Sequence, residues 1–193
     1  MKLNSGIGII EKLLPFACFL AAGLLATLTM DLGALTMIVS GIASPGPYRI
    51  VPNLLGRWVG SFPSGILFHF TILDTPPIPH EKVLGILCHY LIGISLTSLL
   101  LYPHVRIWHR KIALGSALLY GIATCIFPYF VMFPAMGFGV MGFKLDGAGK
   151  LACFSALNHV IFGAGIFIWS NLLNKPSLSA QRCADSERIV AVS

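Results

Sequence analysis

Apolar residues along this chain gather into four long stretches that are separated by more polar segments. The stretches cover residues 13–40, 83–102, 112–134 and 151–173. A helix needs about 20 mainly apolar residues to cross the hydrocarbon core of a bilayer. The alternating pattern of a membrane β-strand is absent from these stretches. The pattern therefore predicts an all-α fold, a transmembrane bundle of four helices with a long outer loop between the first and second helices.

The loop at residues 41–82 has an unusual composition. It contains seven prolines, yet it also carries apolar runs at residues 50–58 and 66–73. Because long unstructured loops are uncommon and usually functional, we expect short amphipathic or re-entrant pieces along the membrane interface. Arg57 and His69 would then cap the outer mouth of the bundle. Alternatively, Arg57 and Trp58 anchor the loop at the level of the lipid headgroups.

Composition supports the membrane interpretation. Hydrophobic residues make up 56% of the 193 residues and charged residues 10%, and the mean hydropathy is +0.84, which a soluble domain would not tolerate. The net charge is +6, but the cations flank apolar segments, so nucleic acid is not an expected partner. The five cysteines form no CxxC pair, and neither a disulfide framework nor a zinc site is favoured.

The positions of the cations predict an orientation. The short connection at residues 103–111 is rich in cations, which places both termini in the cytoplasm by the positive-inside rule. The first apolar stretch exceeds the length of a signal peptide core, so we interpret it as a retained anchor. Residues 1–174 are expected to form a single membrane domain. Residues 175–193 are polar, and we expect a disordered cytoplasmic tail.

Three ionisable residues lie inside the apolar stretches: Asp31, His89 and His159. A charge at membrane depth costs about 3 kcal/mol or more unless it faces a protein interior or a wet cavity. With a rise of about 1.5 Å per residue, Asp31 lies about 27 Å from the cytoplasmic start of its helix. His89 and His159 lie about 9 Å and 12 Å from the outer starts of theirs. All three therefore fall in the outer half of the bundle, which predicts one polar site.

The chemistry of these side chains suits a small ligand. Imidazole titrates near neutral pH, and imidazole and carboxylate groups both bind protons and metal ions. Asp31, His89 and His159 are thus the candidate metal ligands, although no cofactor is predicted. The full set of candidate binding residues is Asp31, His89, His159, Glu81, Arg57, His69 and Asn158. A purely structural role, in which polar side chains join helices by hydrogen bonds, stays open.

Small residues recur at intervals of four on the predicted helices. Gly85 and Gly93 flank His89, and Gly163 follows His159 by one turn. Such stripes let membrane helices approach closely, so tight packing is their simplest interpretation.

Prolines interrupt the third apolar stretch. Pro128 and Pro134 remove backbone donors and predict a kink near the outer side. The glycines at 137, 139 and 142 give a literal GxGxxG. This motif follows an apolar helix instead of a strand, so it does not indicate a dinucleotide site.

A set of short motifs along the chain also matches a known family. The motifs are Thr29-Met30-Asp31, Gly56-Arg57-Trp58, Phe68-His69, Pro76-Pro77, Glu81, His89-Tyr90 with Gly93, Phe127-Pro128 with Pro134, Asn158-His159 and Phe162-Gly163. With these motifs the chain resembles a bacterial integral membrane family, domain of unknown function 2938, over nearly its whole length up to about Leu173. The resemblance implies a four-helix protein of the bacterial cell inner membrane, and it implies no reaction.

Three kinds of function follow from these observations. The first is binding or transport of a small solute, proton or metal ion at the polar site. The second is an accessory or structural subunit that packs against a membrane protein partner. An enzyme is least favoured, because one carboxylate and two histidines fall short of the His-rich clusters of di-metal sites. The lipid bilayer is an expected partner in every case.

Overall fold

The fold is known from a computed structural model that describes residues 4–104 and 111–173. Four helices in this part of the chain are long and apolar enough to cross a membrane: Phe16–Val39, Glu81–Tyr102, Leu114–Ala135 and Ala148–Leu173. Helices and no strands occur among the described residues. The predicted all-α bundle with four membrane-spanning helices is therefore confirmed. The tail predicted to be disordered lies outside the described residues.

Three of these spans are regular helices. The first belongs to α1 (Asn4–Val39), the second is α3 (Glu81–Tyr102) and the fourth is α6 (Ala148–Leu173). Leucine and isoleucine recur in all three helices, and alanine recurs in α1 and α6. Leucine and alanine combine good helix propensity with solubility in lipid.

The third span is irregular, as its prolines predict. It consists of α4 (Leu114–Ala123), a π-helical segment (Pro128–Met132) and the single turn α5 (Phe133–Ala135). Pro128 has no backbone N–H with which to continue the α-helical ladder. The ladder widens there instead, and the N–H of Phe133 donates to the carbonyl of Pro128. Such widened turns are typical of interruptions inside otherwise regular helices.

The long loop contains a further helix, α2 (Pro45–Gly60), followed by short 3-10 turns. Pro45 occupies the first helical turn, where its missing N–H is harmless. Beyond α2 the loop is fastened to the end of the third span. The N–H of His69 donates to the carbonyl of Ala135 at 2.7 Å, and that of Ile72 to the carbonyl of Met136 at 3.0 Å. Part of the loop is therefore helical, and its expected place along the membrane interface stays a prediction.

Glycines allow neighbouring helices to approach each other closely. A Cβ on Gly93 would lie 2.0 Å from Oγ1 of Thr27 on α1, and one on Gly121 would lie 2.3 Å from the carbonyl oxygen of His159 on α6. A Cβ on Gly85 would lie 1.8 Å from the carbonyl oxygen of Pro52 on α2. The helices pack in a row of neighbouring pairs: α2 packs on α3, α3 on α1, α1 on α6 and α6 on α4. The predicted tight packing through small residues is confirmed.

Two apolar clusters fill the bundle, one toward each end. We call the end that carries the loop between α1 and α3 the loop end. The loop-end cluster contains Leu54, Leu55, Trp58, Ile72, Cys125, Tyr129, Met132, Phe133, Ala135, Met136, Phe138 and Ala152. The opposite cluster contains Phe19, Ala22, Ala26, Leu101, Ile112, Ala117, Phe162 and Ile166. Along α6, His159 lies between residues of the two clusters, and Asp31 and His89 lie at a similar depth.

Candidate functional site

The centre of the candidate site is the carboxylate of Asp31. Its Oδ1 lies 3.0 Å from Nε2 of His89 and its Oδ2 lies 2.9 Å from the hydroxyl of Tyr90. An ionised carboxylate accepts hydrogen bonds and cannot donate them, so both partners donate. The proton of a neutral His89 ring is therefore on Nε2. Asp31 on α1 and His89 on α3, which the sequence places in one polar site, are thus joined by a direct hydrogen bond.

Depth along the helices agrees with the sequence analysis. Asp31 and His89 each lie about 12 Å from the loop end of their spans by the rise of an α-helix. His159 lies about 16 Å from the same end of α6. All three are nearer the loop end than the opposite end.

The Asp31–His89 pair is accessible although it lies on buried helix faces. The side chain of Asp31 is 43% exposed and that of His89 is 35% exposed. One turn away along α1, Thr27 is buried. One turn to either side of His89, Gly85 and Gly93 are buried. One turn further along α1, Leu35 is 55% exposed, so the pair lies partly exposed where the seam between α1 and α3 meets the surface of the bundle.

His159 forms a second polar contact, between α6 and α4. Its Nδ1 lies 2.7 Å from Oγ1 of Thr124, and that hydroxyl lies 2.6 Å from the carbonyl oxygen of Gly121. A threonine hydroxyl has a single proton, and a carbonyl oxygen can only accept. The hydroxyl proton therefore points to Gly121, and His159 Nδ1 donates to Thr124. This arrangement leaves Nε2 of a neutral His159 ring without a proton.

The two contacts belong to one layer. His159 and the Asp31–His89 pair lie at similar depths along their spans. On the neighbouring faces, a Cβ on Gly33 of α1 would lie 2.7 Å from the side chain of Ile161 on α6. We call Asp31, His89, Tyr90, Thr124 and His159 the polar layer. No group of three or more His, Cys, Asp or Glu side chains that could hold a metal ion occurs in the part of the chain that the structure describes.

Arg57 and Glu81 form a separate cluster at the loop end. Both are buried, with 8% and 7% exposure. Arg57 Nε and Nη2 donate to the two carboxylate oxygens of Glu81 at 2.9 and 3.0 Å. Arg57 Nη1 donates to the carbonyls of Ile72 and Thr75 at 3.3 and 2.6 Å. The Asn53 amide also donates to Glu81, at 3.0 Å. This cluster, the loop clamp, joins α2, α3 and the loop.

The other two candidates lie outside the clamp. His69 belongs to the loop, where its Nδ1 lies 3.4 Å from Oγ1 of Thr75 and its Nε2 is buried without a hydrogen-bond partner among the described residues. Asn158 is a buried residue of α6, next to His159 in sequence. The structure thus brings Asp31, His89 and His159 to one layer, and it places Arg57 and Glu81 in the loop clamp.

Sequence reasoning missed two members of the polar layer. Tyr90 was noted only as part of the family resemblance, and the signal that marks it is its place beside His89 on a membrane helix. Thr124 was not singled out. It follows Gly121 by three residues on the face that packs against α6, and a polar residue on such a face is a signal for a bond between helices.

The chain and its geometry define a multi-pass helical membrane protein with a polar layer between two apolar clusters. Comparison with protein families then places it more narrowly. The model of a family described as "Protein of unknown function (DUF2938)" matches residues 20–173, and the chain belongs to this family. The resemblance drawn from short motifs is therefore confirmed. Comparisons with curated proteins and with solved structures gave no match.

Proposed function

We propose that this protein binds a small solute in the polar layer as part of solute movement across a bacterial inner membrane. Both termini would lie in the cytoplasm and the loop end would face the periplasm. The role is binding, without a chemical reaction on the solute. The observation that carries the proposal is the accessible hydrogen-bonded pair of Asp31 and His89 at membrane depth.

Accessibility separates a binding role from a structural one. Polar residues that only join helices gain most when lipid and water are both excluded from them. The Thr27 hydroxyl shows this pattern, because it is buried and donates to the carbonyl of Gly23 at 2.8 Å. Asp31 and His89 instead leave about two fifths and one third of their side chains open. An exposed carboxylate in a membrane span is costly unless it meets water or a polar ligand.

The proposal predicts solute-dependent stabilisation of the purified protein. Unfolding temperatures would be measured in detergent across a panel of small polar solutes, for the wild type, Asp31→Asn and Asp146→Asn. Asp146 is exposed and lies outside the spans, so its variant is the matched control. A ligand at 100 times its Kd stabilises the folded state by about 2.7 kcal/mol. We expect such a shift in the wild type and in Asp146→Asn, and its loss in Asp31→Asn.

Two results would contradict the proposal. One is that no solute shifts the wild type. The other is that Asp31→Asn lowers the yield of folded protein while every solute effect persists, because Asp31 would then be a structural residue.

A second candidate function is that of an accessory subunit. Exposed apolar side chains lie about one turn from Asp31 and His89 on the same helices, among them Leu28, Leu35 and Ile86, which are 42%, 55% and 41% exposed. A helix of another membrane protein would cover these side chains and satisfy the Asp31–His89 pair. A partner that stays bound in detergent, together with the absence of any solute effect, would favour this function.

A further inference from the structure

We infer that the ligand of the polar layer is a small cation with N–H donors, such as ammonium or a primary amine. The inference rests on the proposed function and narrows it to a class of solute. It follows from a count of the donors and acceptors that the layer offers.

Every donor of the polar layer is already used within the protein. The Tyr90 hydroxyl and His89 Nε2 both donate to Asp31. His159 Nδ1 donates to Thr124, whose own hydroxyl donates to the carbonyl of Gly121. A solute that enters the layer therefore finds no side-chain donor among these five residues while both rings are neutral.

Acceptors remain available in the same layer. A neutral imidazole has one protonated and one unprotonated nitrogen. The bonds above leave the unprotonated nitrogen at Nδ1 of His89 and at Nε2 of His159. The carboxylate of Asp31 has lone pairs beyond the two that His89 and Tyr90 use. The polar layer is thus a set of acceptors on α1, α3 and α6.

The charged side chains of the polar layer also favour a cationic ligand. Asp31 is the acidic side chain of the layer, and no lysine or arginine belongs to it. Arg57, the buried cation at the loop end, is bound to Glu81 in the loop clamp. An anionic solute would meet repulsion and no donor, whereas an ammonium group offers both a charge and up to four N–H donors.

The inference is tested by calorimetric titration of the purified wild type with three salts. Methylammonium chloride supplies N–H donors and positive charge, tetramethylammonium chloride supplies the charge alone, and sodium acetate supplies an anion. We expect saturable binding of methylammonium, binding of tetramethylammonium that is at least about tenfold weaker, and no binding of acetate. Asp31→Asn should weaken methylammonium binding at least about tenfold. Asp146→Asn should leave it unchanged.

Several results would overturn the inference. The inference is wrong if methylammonium and tetramethylammonium bind with equal affinity, if acetate binds, or if methylammonium does not bind up to about 100 mM. Binding of zinc chloride without binding of methylammonium would assign the acceptors to a metal ion instead. If an uncharged or anionic solute binds and Asp31→Asn abolishes that binding, the proposed function stands and only the cation inference fails. If no solute of any class binds, both fail.

Discussion

The loop clamp allows a quantitative prediction about stability. Replacing Arg57 by Met keeps most of the side-chain volume but removes four hydrogen bonds, two to Glu81 and two to the carbonyls of Ile72 and Thr75. It also leaves a buried carboxylate whose remaining donors are the Asn53 amide and the N–H of Ile78. Hydrogen bonds to charged groups contribute about 1.5–3 kcal/mol each, but desolvation of the pair offsets part of that gain. Breaking such a buried pair costs about 3–5 kcal/mol.

A double-mutant cycle isolates the pair. We expect Arg57→Met and Glu81→Leu each to lower the free energy of unfolding by about 3–5 kcal/mol. The double variant removes both charges together, so it should be more stable than the sum of the single losses predicts, by about 3 kcal/mol. Lys82→Met is the control, since Lys82 is an exposed neighbour of Glu81, and its effect should stay within about 0.5 kcal/mol.

Unfolding would be measured by titration with a denaturing detergent and followed by tryptophan fluorescence. Trp58 is a suitable reporter, because it follows Arg57 and packs edge-on against Phe62 with ring centroids 5.1 Å apart. Single losses below about 1 kcal/mol, or strict additivity in the double variant, would contradict this prediction. Either result would mean that the Arg57–Glu81 pair does not hold the loop on α3.

Two further predictions concern the contacts of α4. Gly121→Ala should destabilise the protein by about 1–3 kcal/mol, because its Cβ would lie 2.3 Å from the carbonyl oxygen of His159. Gly115→Ala on the same helix, where nothing lies within 4 Å, should be neutral or slightly stabilising in the same unfolding titration. Tyr120→Phe should cost about 1 kcal/mol, because the hydroxyl of Tyr120 donates to the carbonyl of Leu96 on α3 at 2.7 Å. No change in Tyr120→Phe would mean that this bond does not join α4 to α3.

The spans could be predicted because lipid imposes a simple rule. A helix that crosses a bilayer must be about 20 residues long and mainly apolar, and this constraint shows directly in the sequence. The common depth of Asp31, His89 and His159 followed from the rise of a helix alone. An interruption of the third span near Pro128 could be predicted from the missing N–H of proline, whereas its π-helical form could not.

Pairings between distant residues could not be predicted in the same way. Arg57 and Glu81 are separated by a loop whose path depends on the packing of α2 against α3. The partner of His159 depends on the rotation of α6 relative to α4, which Gly121 and Gly163 set through backbone contact. Small-residue stripes indicate that helices approach closely, but they do not show which helix is the neighbour.

Access of water to the polar layer is the most direct test of the proposed binding site. Asp31→Cys and Thr27→Cys would be made in a background without native cysteines and treated with a charged, membrane-impermeant methanethiosulfonate reagent. In the proposed orientation, spheroplasts present the loop end, and inverted vesicles present the opposite end. We expect rapid labelling of the cysteine at position 31 in spheroplasts and none at position 27, which is one turn away and 1% exposed. Failure to label position 31 from either side, or equal labelling of both positions, would contradict an accessible polar layer.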